Sequence, residues 1–268
     1  MTVDDVGRDA RGIVTPDRGL RHFALDRHAP SPVVARLVDR YWIVRWDLPD
    51  GDVHRQQVLP HPVTNVVFEQ GGAVADGVTT SLFTRTLRGR GRAVGVMFRP
   101  GGFRPLVDRP MRELTDRTLP LRDLLGPPAD VLARQIARDD DPAAVARIDT
   151  ALTALVPEDP HPAESTMRLA ELAADDRTVL RTEQLAGVAG VGVRTLQRRF
   201  ADHIGISPKA VIRRYRLYEA AEAARDADVD WGALAADLGY ADQAHLIRDF
   251  RAAFGVTPTA YAARNRDG

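Results

Sequence analysis

The chain has 268 residues, of which 37 are basic and 37 acidic, and it contains no cysteine. The balanced charge points to no particular partner, and the lack of cysteine excludes disulfides, thiolate nucleophiles and cysteine-ligated metal sites. The start of the chain lacks the apolar core of a secretory signal, and no run of about 18 apolar residues follows, so we expect a cytoplasmic protein without a membrane span.

The first half of the sequence predicts a sheet-rich domain. Residues 1–20 are polar and aperiodic, which predicts disorder, and 31–41 indicate a short helix opened by Pro32. Five strand-like runs follow at 41–48, 54–59, 63–70, 78–87 and 93–100, separated by Gly and Pro. Strands at this spacing predict a small β-barrel or sandwich. We expect a barrel or cupin-like domain over residues 21–156, with flanking helices at 130–138 and 143–156.

The second half predicts an all-α domain. Residues 157–165 contain three prolines and are the best linker candidate. From 166 to 268 the sequence has helical periodicity throughout, divided into seven short helices by Gly-containing turns. We therefore expect an α+β protein of two domains.

A short sequence motif occurs twice in the helical half of the chain. The stretches "LQRRFADHIGISP" and "LIRDFRAAFGVTP" share Leu, Phe, Gly and Pro at a constant offset of 50: Leu196/Leu246, Phe200/Phe250, Gly205/Gly255 and Pro208/Pro258. A glycine turn, at Gly190 or Gly239, precedes each stretch and follows another short helix. Two helices joined by a short Gly-containing turn are the sequence shape of a helix-turn-helix, whose second helix enters the DNA major groove.

Helical geometry separates two faces of the first such second helix. At 100° per residue, Val193, Phe200 and Ile204 fall on the side of Leu196 and form one apolar stripe. Arg194, Gln197 and Arg198 fall near the opposite side, where Arg can pair with guanine and Gln with adenine. The stretch 193–216 has seven cations against Asp202 alone, a local excess that fits phosphate binding or a solvated helix face.

The helix predicted at 208–225 joins the two units. Its 18 residues span roughly 27 Å, against about 34 Å between successive major-groove faces on one side of B-DNA. One chain could therefore place two reading helices in adjacent groove segments.

Residues from about 170 to 264 resemble the AraC/XylS family of transcriptional regulators, through "TLQRRFADHIGISPKAVIRRYRL" and "LAADLGYADQAHLIRDFRAAFGVTP". The resemblance implies a seven-helix DNA-binding domain, with base contacts by Arg194, Gln197 and Arg198 in the first unit and Gln243 and Arg248 in the second. The implied partners are double-stranded promoter DNA and RNA polymerase, with no cofactor. Ala244 and Ile247 depart from the family by occupying outward positions where polar readers are frequent. We assign phosphate contacts to Thr195, Arg199, Lys209, Arg213, Arg214 and Arg251.

The segment "VMFRPGGFRPLVDRPMRELTDRTLPLRDL" resembles the N-terminal region of one branch of AraC-type regulators. By that analogy the first domain binds a small-molecule effector, forms a homodimer, or does both. The apolar stripes of its two helices either meet a second copy or pack on their own sheet. The candidate effector pocket comprises Trp42, Trp46, His54, His61, Asn65, Glu69, Arg99 and Arg104.

These pocket residues have competing interpretations. The two histidines with Glu69 could be read as a metal cluster, but turn histidines are the simpler account, and we predict no metal. Arg99 and Arg104 either bind an anionic effector or pair with carboxylates. The two tryptophans either pack in the core or line a site for an aromatic ligand.

Three functions remain open: an effector-responsive regulator, a ligand-independent regulator whose first domain only dimerises, and a barrel enzyme targeted to DNA. Because no nucleophile–base constellation or metal motif supports the third, we predict that the chain is not an enzyme. The lack of cysteine also excludes a methyl-acceptor sensor.

Overall fold

The computed structural model describes residues 20–58, 61–224 and 229–266. Except for Leu20, the segment predicted to be disordered lies outside the described residues. The described chain consists of a sheet-rich N-terminal region and a helical C-terminal region, as the sequence predicts.

Eight strands form the N-terminal region. They are β1 (Phe23–His28), β2 (Val38–Asp47), β3 (Val53–Val58), β4 (Asn65–Glu69), β5 (Gly72–Asp76), β6 (Phe83–Arg88), β7 (Arg90–Phe98) and β8 (Thr118–Pro120). The order β1-β2-β7-β4-β5-β8 makes one six-stranded sheet, and β3 pairs with β6 in a second sheet. All of the pairings are antiparallel.

Two parts of this region differ from the sequence-based prediction. The helix expected at 31–41 is wrong, because only Val34–Arg36 forms a short 3-10 turn and β2 begins at Val38. Pairing with β7 along the whole of β2 outweighs the local preference for a turn opened by Pro32. The sequence reading also missed β1, β5 and β8, the last of which has only three residues.

Ten α-helices follow. Three belong to the N-terminal region: α1 (Arg122–Leu125), α2 (Pro128–Ile136) and α3 (Asp141–Thr153). Seven make the C-terminal region: α4 (Ala163–Asp175), α5 (Thr182–Val188), α6 (Val193–His203), α7 (Pro208–Ala223), α8 (Trp231–Asp237), α9 (Gln243–Phe254) and α10 (Pro258–Arg266). Because α3 ends at Thr153 and α4 begins at Ala163, the connection between them is 154–162 rather than the predicted 157–165. The Arg36 guanidinium holds it by donating to Pro157 O at 2.8 Å.

The large sheet separates two apolar layers. One face, with Tyr41 and Ile43, packs against the buried side chains Ala133 of α2 and Ile148 of α3. The apolar stripes of these helices are therefore covered by their own sheet. Trp46 lies on the other face, packed with Leu87 of the β3–β6 pair. The β3–β6 pair thus covers the sheet on the side away from the helices.

Candidate nucleic-acid interface

The two helix-turn-helix units use the same backbone turns. Gly190 and Gly239, which end the first helix of each unit, have φ of 62° and 75°. Gly205 and Gly255, which follow the second helix of each unit, have φ of 103° and 73°. Only glycine adopts this left-handed region without strain, which explains why the repeat retains glycine at all four positions.

The outward face of the first unit's second helix, α6, matches the helical-wheel prediction. Leu196 and Phe200 are fully buried, whereas Arg194, Gln197 and Arg198 are exposed. Thr195 and Arg199 are half-buried at the sides of the helix. The α6 surface therefore offers three long donor side chains above one apolar stripe.

The corresponding helix of the second unit, α9, is anchored in the same way but offers fewer donors. Leu246 and Phe250 are fully buried, and the side chain of Asp242 caps the helix by accepting from His245 N at 2.7 Å. Gln243, Ala244, Arg248 and Arg251 are exposed, and Ile247 is half-buried.

The seven cations of 193–216 do not form one exposed stripe. Arg213 pairs with Asp249 through Nε at 2.5 Å, and Arg214 donates to Thr79 O of the N-terminal region at 2.9 Å. Arg216 is 1% exposed and donates to Ala173 O at the end of α4. The basic surface of this stretch is thus smaller than its composition indicates and consists of Arg194, Arg198, Arg199 and Lys209.

Helix α7 connects the two units. It has 16 residues and hence a length of about 24 Å, slightly shorter than predicted. Ser207 caps its N-terminus by accepting from Ala210 N at 3.2 Å. Its buried residues belong to both cores, Val211 and Ile212 to that of the first unit and Leu217 and Tyr218 to that of the second. The helix is therefore the structural link that sets the separation of α6 and α9.

The candidate effector residues fall into two groups that do not share a pocket. Trp42, Asn65 and Glu69 lie on the sheet face covered by β3 and β6, where the Trp42 indole donates to Asn65 Oδ1 at 3.3 Å and Glu69 pairs with Arg85 of β6. On the same face Trp46 is buried, and His54 stacks on His22 with ring centroids 4.3 Å apart.

Each tryptophan fills the space above a glycine of β7. A Cβ at Gly95 would lie 1.9 Å from the Trp42 ring, and one at Gly91 would lie 2.1 Å from the Trp46 ring. Core packing, one of the two interpretations, therefore accounts for both indoles.

The second group, His61, Arg99 and Arg104, lies at the contact between the two regions. The His61 ring stacks on Tyr218 of α7 with centroids 4.6 Å apart, and Arg99 makes a bidentate pair with Glu171 of α4 at 2.6 and 2.7 Å. Arg104 lies 3.8 Å from Asp202 at the end of α6. Arg99 is thus paired with a carboxylate, whereas Arg104 makes a longer contact with Asp202, and an anionic effector at these arginines stays a prediction.

The sequence reading missed a close contact at the turn that follows α6. Thr115 donates its hydroxyl to Gly205 O at 2.8 Å, and a Cβ at Gly101 would lie 3.0 Å from His203 O. Two features of the sequence lie at this contact, the turn at Pro100, Gly101 and Gly102 and the repeated glycine Gly205. Only the tertiary structure shows that these two turns are in contact.

A buried histidine closes the same end of α6. His203 is 8% exposed, and its Nδ1 lies 2.7 Å from Thr166 Oγ1 of α4. Burial lowers the pKa of His203 below its usual value and outweighs the opposing effect of Asp202.

An open cleft of about 650 Å³ lies near β1, β2 and β7 and includes only Trp46 of the candidate pocket residues. Its inner arginines, Arg45 and Arg92, are already paired with Asp141 of α3. Among residues 20–58, 61–224 and 229–266, no group of three metal-binding side chains comes together. Within the same ranges, no helix has the length and apolarity needed to cross a membrane.

Comparison with known proteins identifies the helical region. Residues 185–264 match the model of a family described as a helix-turn-helix domain, and residues 26–120 match that of a domain of unknown function. A curated relative, the HTH-type transcriptional activator RhaS of Escherichia fergusonii, is 33% identical over 76 residues, which are 28% of this chain and 27% of RhaS. The matched part therefore spans about a quarter of that protein.

Two solved structures are also similar. A transcriptional regulator with an AraC-type DNA-binding domain, from Chromobacterium violaceum, is 24% identical and aligns over 39% of this chain and 95% of its own, with a TM-score of 0.35. ToxT of Vibrio cholerae is 11% identical and aligns over 91% and 98% of the two chains, with a TM-score of 0.41. From the family match and the doubled helix-turn-helix, we conclude that the chain carries a helix-turn-helix domain over residues 185–264, preceded by a domain of unknown function over residues 26–120.

Proposed function

We propose that the protein is a sequence-specific DNA-binding transcriptional regulator that places two reading helices on promoter DNA. The observation that carries this proposal is the duplicated unit, in which α6 and α9 end in matching left-handed turns and keep matching anchors buried. Such second helices are the elements that enter the major groove. RNA polymerase is the partner that a regulator at a promoter would meet.

The two helices have unequal roles in this proposal. In α6, Arg194, Gln197 and Arg198 read base edges, because all three are exposed and carry the donor groups for guanine and adenine. In α9 we assign this role to Gln243 and Arg248, which are both exposed. We assign the phosphate contacts to Thr195, Arg199, Lys209 and Arg251, none of which is buried. Arg214 is assigned instead to the domain contact.

The N-terminal domain provides the regulatory input in this proposal. The chain leaving β3 leads to His61, which stacks on Tyr218, and the chain entering β6 passes Thr79, whose carbonyl accepts from Arg214. A small molecule bound between β3–β6 and the large sheet would therefore act on α7 from the end of the β3–β6 pair at which Val58 faces Phe83. Without such a molecule, the same contacts would serve a ligand-independent regulator.

A homodimer formed through residues 21–156 remains part of the proposal. Val131 of α2 is 48% exposed and Leu155, just beyond α3, is 46% exposed. These two apolar side chains are available to a second copy even though the helix stripes themselves are covered.

A binding assay on the full-length chain tests the DNA-binding proposal. Fluorescence anisotropy with fragments from upstream of its own and neighbouring genes should find at least one that binds much more tightly than random DNA. Arg198→Ala should reduce that preference, whereas Arg134→Gln, at an exposed position on α2, should leave it intact. Equal affinity of the wild-type chain for every fragment would contradict the proposal. A thermal shift with a ligand would separate the effector-responsive regulator from the ligand-independent one.

A further inference from the structure

An ion pair joins the connecting helix to the second reading helix. Arg213 Nε of α7 lies 2.5 Å from Asp249 Oδ2 of α9. The Asp249 side chain is only 13% exposed, whereas the Arg213 side chain is 47% exposed. A carboxylate so far removed from water requires a cationic or hydrogen-bonding partner, and Arg213 supplies it.

Two rings of the second unit surround this pair. His245 Nε2, one turn earlier on α9, lies 3.7 Å from the same carboxylate oxygen of Asp249. The Tyr240 ring meets His245 edge-on with centroids 5.1 Å apart. Burial raises the pKa of Tyr240, and nearby Asp249 raises it further while Arg213 opposes the shift. Asp249 is thus the charged centre of a contact that includes the turn, α7 and α9.

Among the described residues, no ion pair joins α6 to α7 in the way that Asp249 joins α9 to α7. The repeat offset of 50 aligns Asp249 with Arg199, so the position that is acidic in α9 is basic in α6. An acidic group on a reading helix repels phosphates and by itself weakens DNA binding. Helix α6 also has an acidic residue, Asp202, but it lies at the end of the helix near Arg104 and Arg112 of the N-terminal region. Asp249 lies instead beside a cation of α7, which indicates a role other than direct DNA contact.

The rest of the α7–α9 contact is apolar. Leu217 of α7 belongs to the same buried cluster as Leu246 and Phe250 of α9. Apolar burial is non-directional, whereas an ion pair with Nε 2.5 Å from the carboxylate oxygen joins one point of α9 to one point of α7 and favours one rotation of the helix about its axis. Asp249 follows Arg248 directly and therefore lies about 100° around the helix from it. Fixing Asp249 fixes the direction in which Arg248 points.

We infer that Asp249 and Arg213 are positioning residues for the second reading helix, which hold α9 in the rotation that presents Arg248 to the base edges. This inference rests on the proposed function. According to this inference, Arg213 is not one of the phosphate contacts predicted from the sequence, and Asp249 has a structural role on α9.

The direction in which Asp249→Asn changes DNA affinity distinguishes a positioning role from a purely electrostatic one. Asp249→Asn removes the negative charge with almost no change in shape, so charge alone predicts tighter binding to every DNA. A positioning role predicts the opposite for the specific site, a loss of about fivefold in affinity. An ion pair with one partly exposed member contributes up to about 1 kcal/mol, which corresponds to that factor. The loss should be confined to the base pairs whose preference is also lost in Arg248→Ala.

The second variant is Arg213→Gln in the full-length chain. If Arg213 contacted a phosphate, its loss would reduce the salt dependence of binding by about 0.9 in the log–log slope, on all sequences alike. Positioning predicts an unchanged slope and the same loss of base preference as in Asp249→Asn. Arg251→Gln, which removes an exposed cation from the same helix, is the matched control and should lower the slope while keeping the preference.

The charge-swapped double variant Arg213→Asp/Asp249→Arg completes the test, with circular dichroism to verify that each variant is folded. Restoration of base preference in the swap, after its loss in both single variants, supports the inference. Full wild-type preference in Asp249→Asn and Arg213→Gln overturns the inference alone. A wild-type chain without any sequence preference overturns both the proposed function and this inference.

Discussion

Ionic strength is the perturbation that most directly tests which cations face the DNA. Six predicted DNA-facing cations are not held in contacts elsewhere in the fold, four from the first unit and its connecting helix and two from α9: Arg194, Arg198, Arg199, Lys209, Arg248 and Arg251. If each of the six displaces one counterion from the DNA, the base-reading arginines included, the slope of log K against log salt should be about −5.4, which is roughly a 1,800-fold loss of affinity between 50 and 200 mM salt. If α9 does not reach the DNA, four cations give about −3.6 and a loss of roughly 150-fold.

Anisotropy titrations of the full-length chain at five or six salt concentrations measure this slope. Replacing both Arg248 and Arg251 with Gln should reduce it from about −5.4 to about −3.6. Arg214→Gln should leave it unchanged, because that guanidinium already donates to Thr79 O within the domain contact. Arg134→Gln on α2 is the control for loss of any exposed arginine.

Two results would refute this reasoning. An unchanged slope in the Arg248/Arg251 double variant would mean that the second unit does not contact the backbone. A reduced slope in Arg214→Gln would mean that the contact with Thr79 opens when DNA binds.

The remaining predictions concern the readers and the stability of the fold. Arg198→Ala should cost about 1–3 kcal/mol at the specific site and relax one base position more than Arg248→Ala does, and single-base operator variants that gave the reverse order would make α9 the dominant reader. Gly205→Ala should lower the free energy of unfolding measured by urea titration by more than about 1 kcal/mol, because its φ is 103° and the new Cβ would lie 2.7 Å from Thr115 Oγ1. Gly187→Ala on α5, where the new Cβ would meet no neighbouring atom within 4 Å, should leave stability equal or higher. Because burial lowers the pKa of His203, the unfolded chain takes up a proton that the folded chain resists, so stability should fall as the pH drops through about 6.5. Thermal melts from pH 7.5 to 5.5 should show a steeper fall for the wild type than for His203→Asn, and parallel curves would contradict the assignment.

The reading helices were predictable because their signals are local. Leu196 and Phe200 recur at helical spacing, and Gly190 and Gly205 stand where the backbone must turn left-handed. The strands were less predictable, since three of the five residues of β5 are glycine or alanine and β8 has only three residues. Their existence depends on pairing with neighbours that lie far away in the sequence.

The sequence by itself therefore determined that two helix-turn-helix units exist and which face of α6 is polar, because periodicity and turn chemistry act within a few residues. Only the tertiary structure decided what each charged side chain does. Arg214 meets Thr79 across 135 positions of sequence, Arg99 meets Glu171 across 72, and Arg213 pairs with Asp249 on another helix. A count of charges treats all of these arginines alike, whereas a partner brought close by folding fixes one guanidinium in a contact and leaves the next one free for DNA.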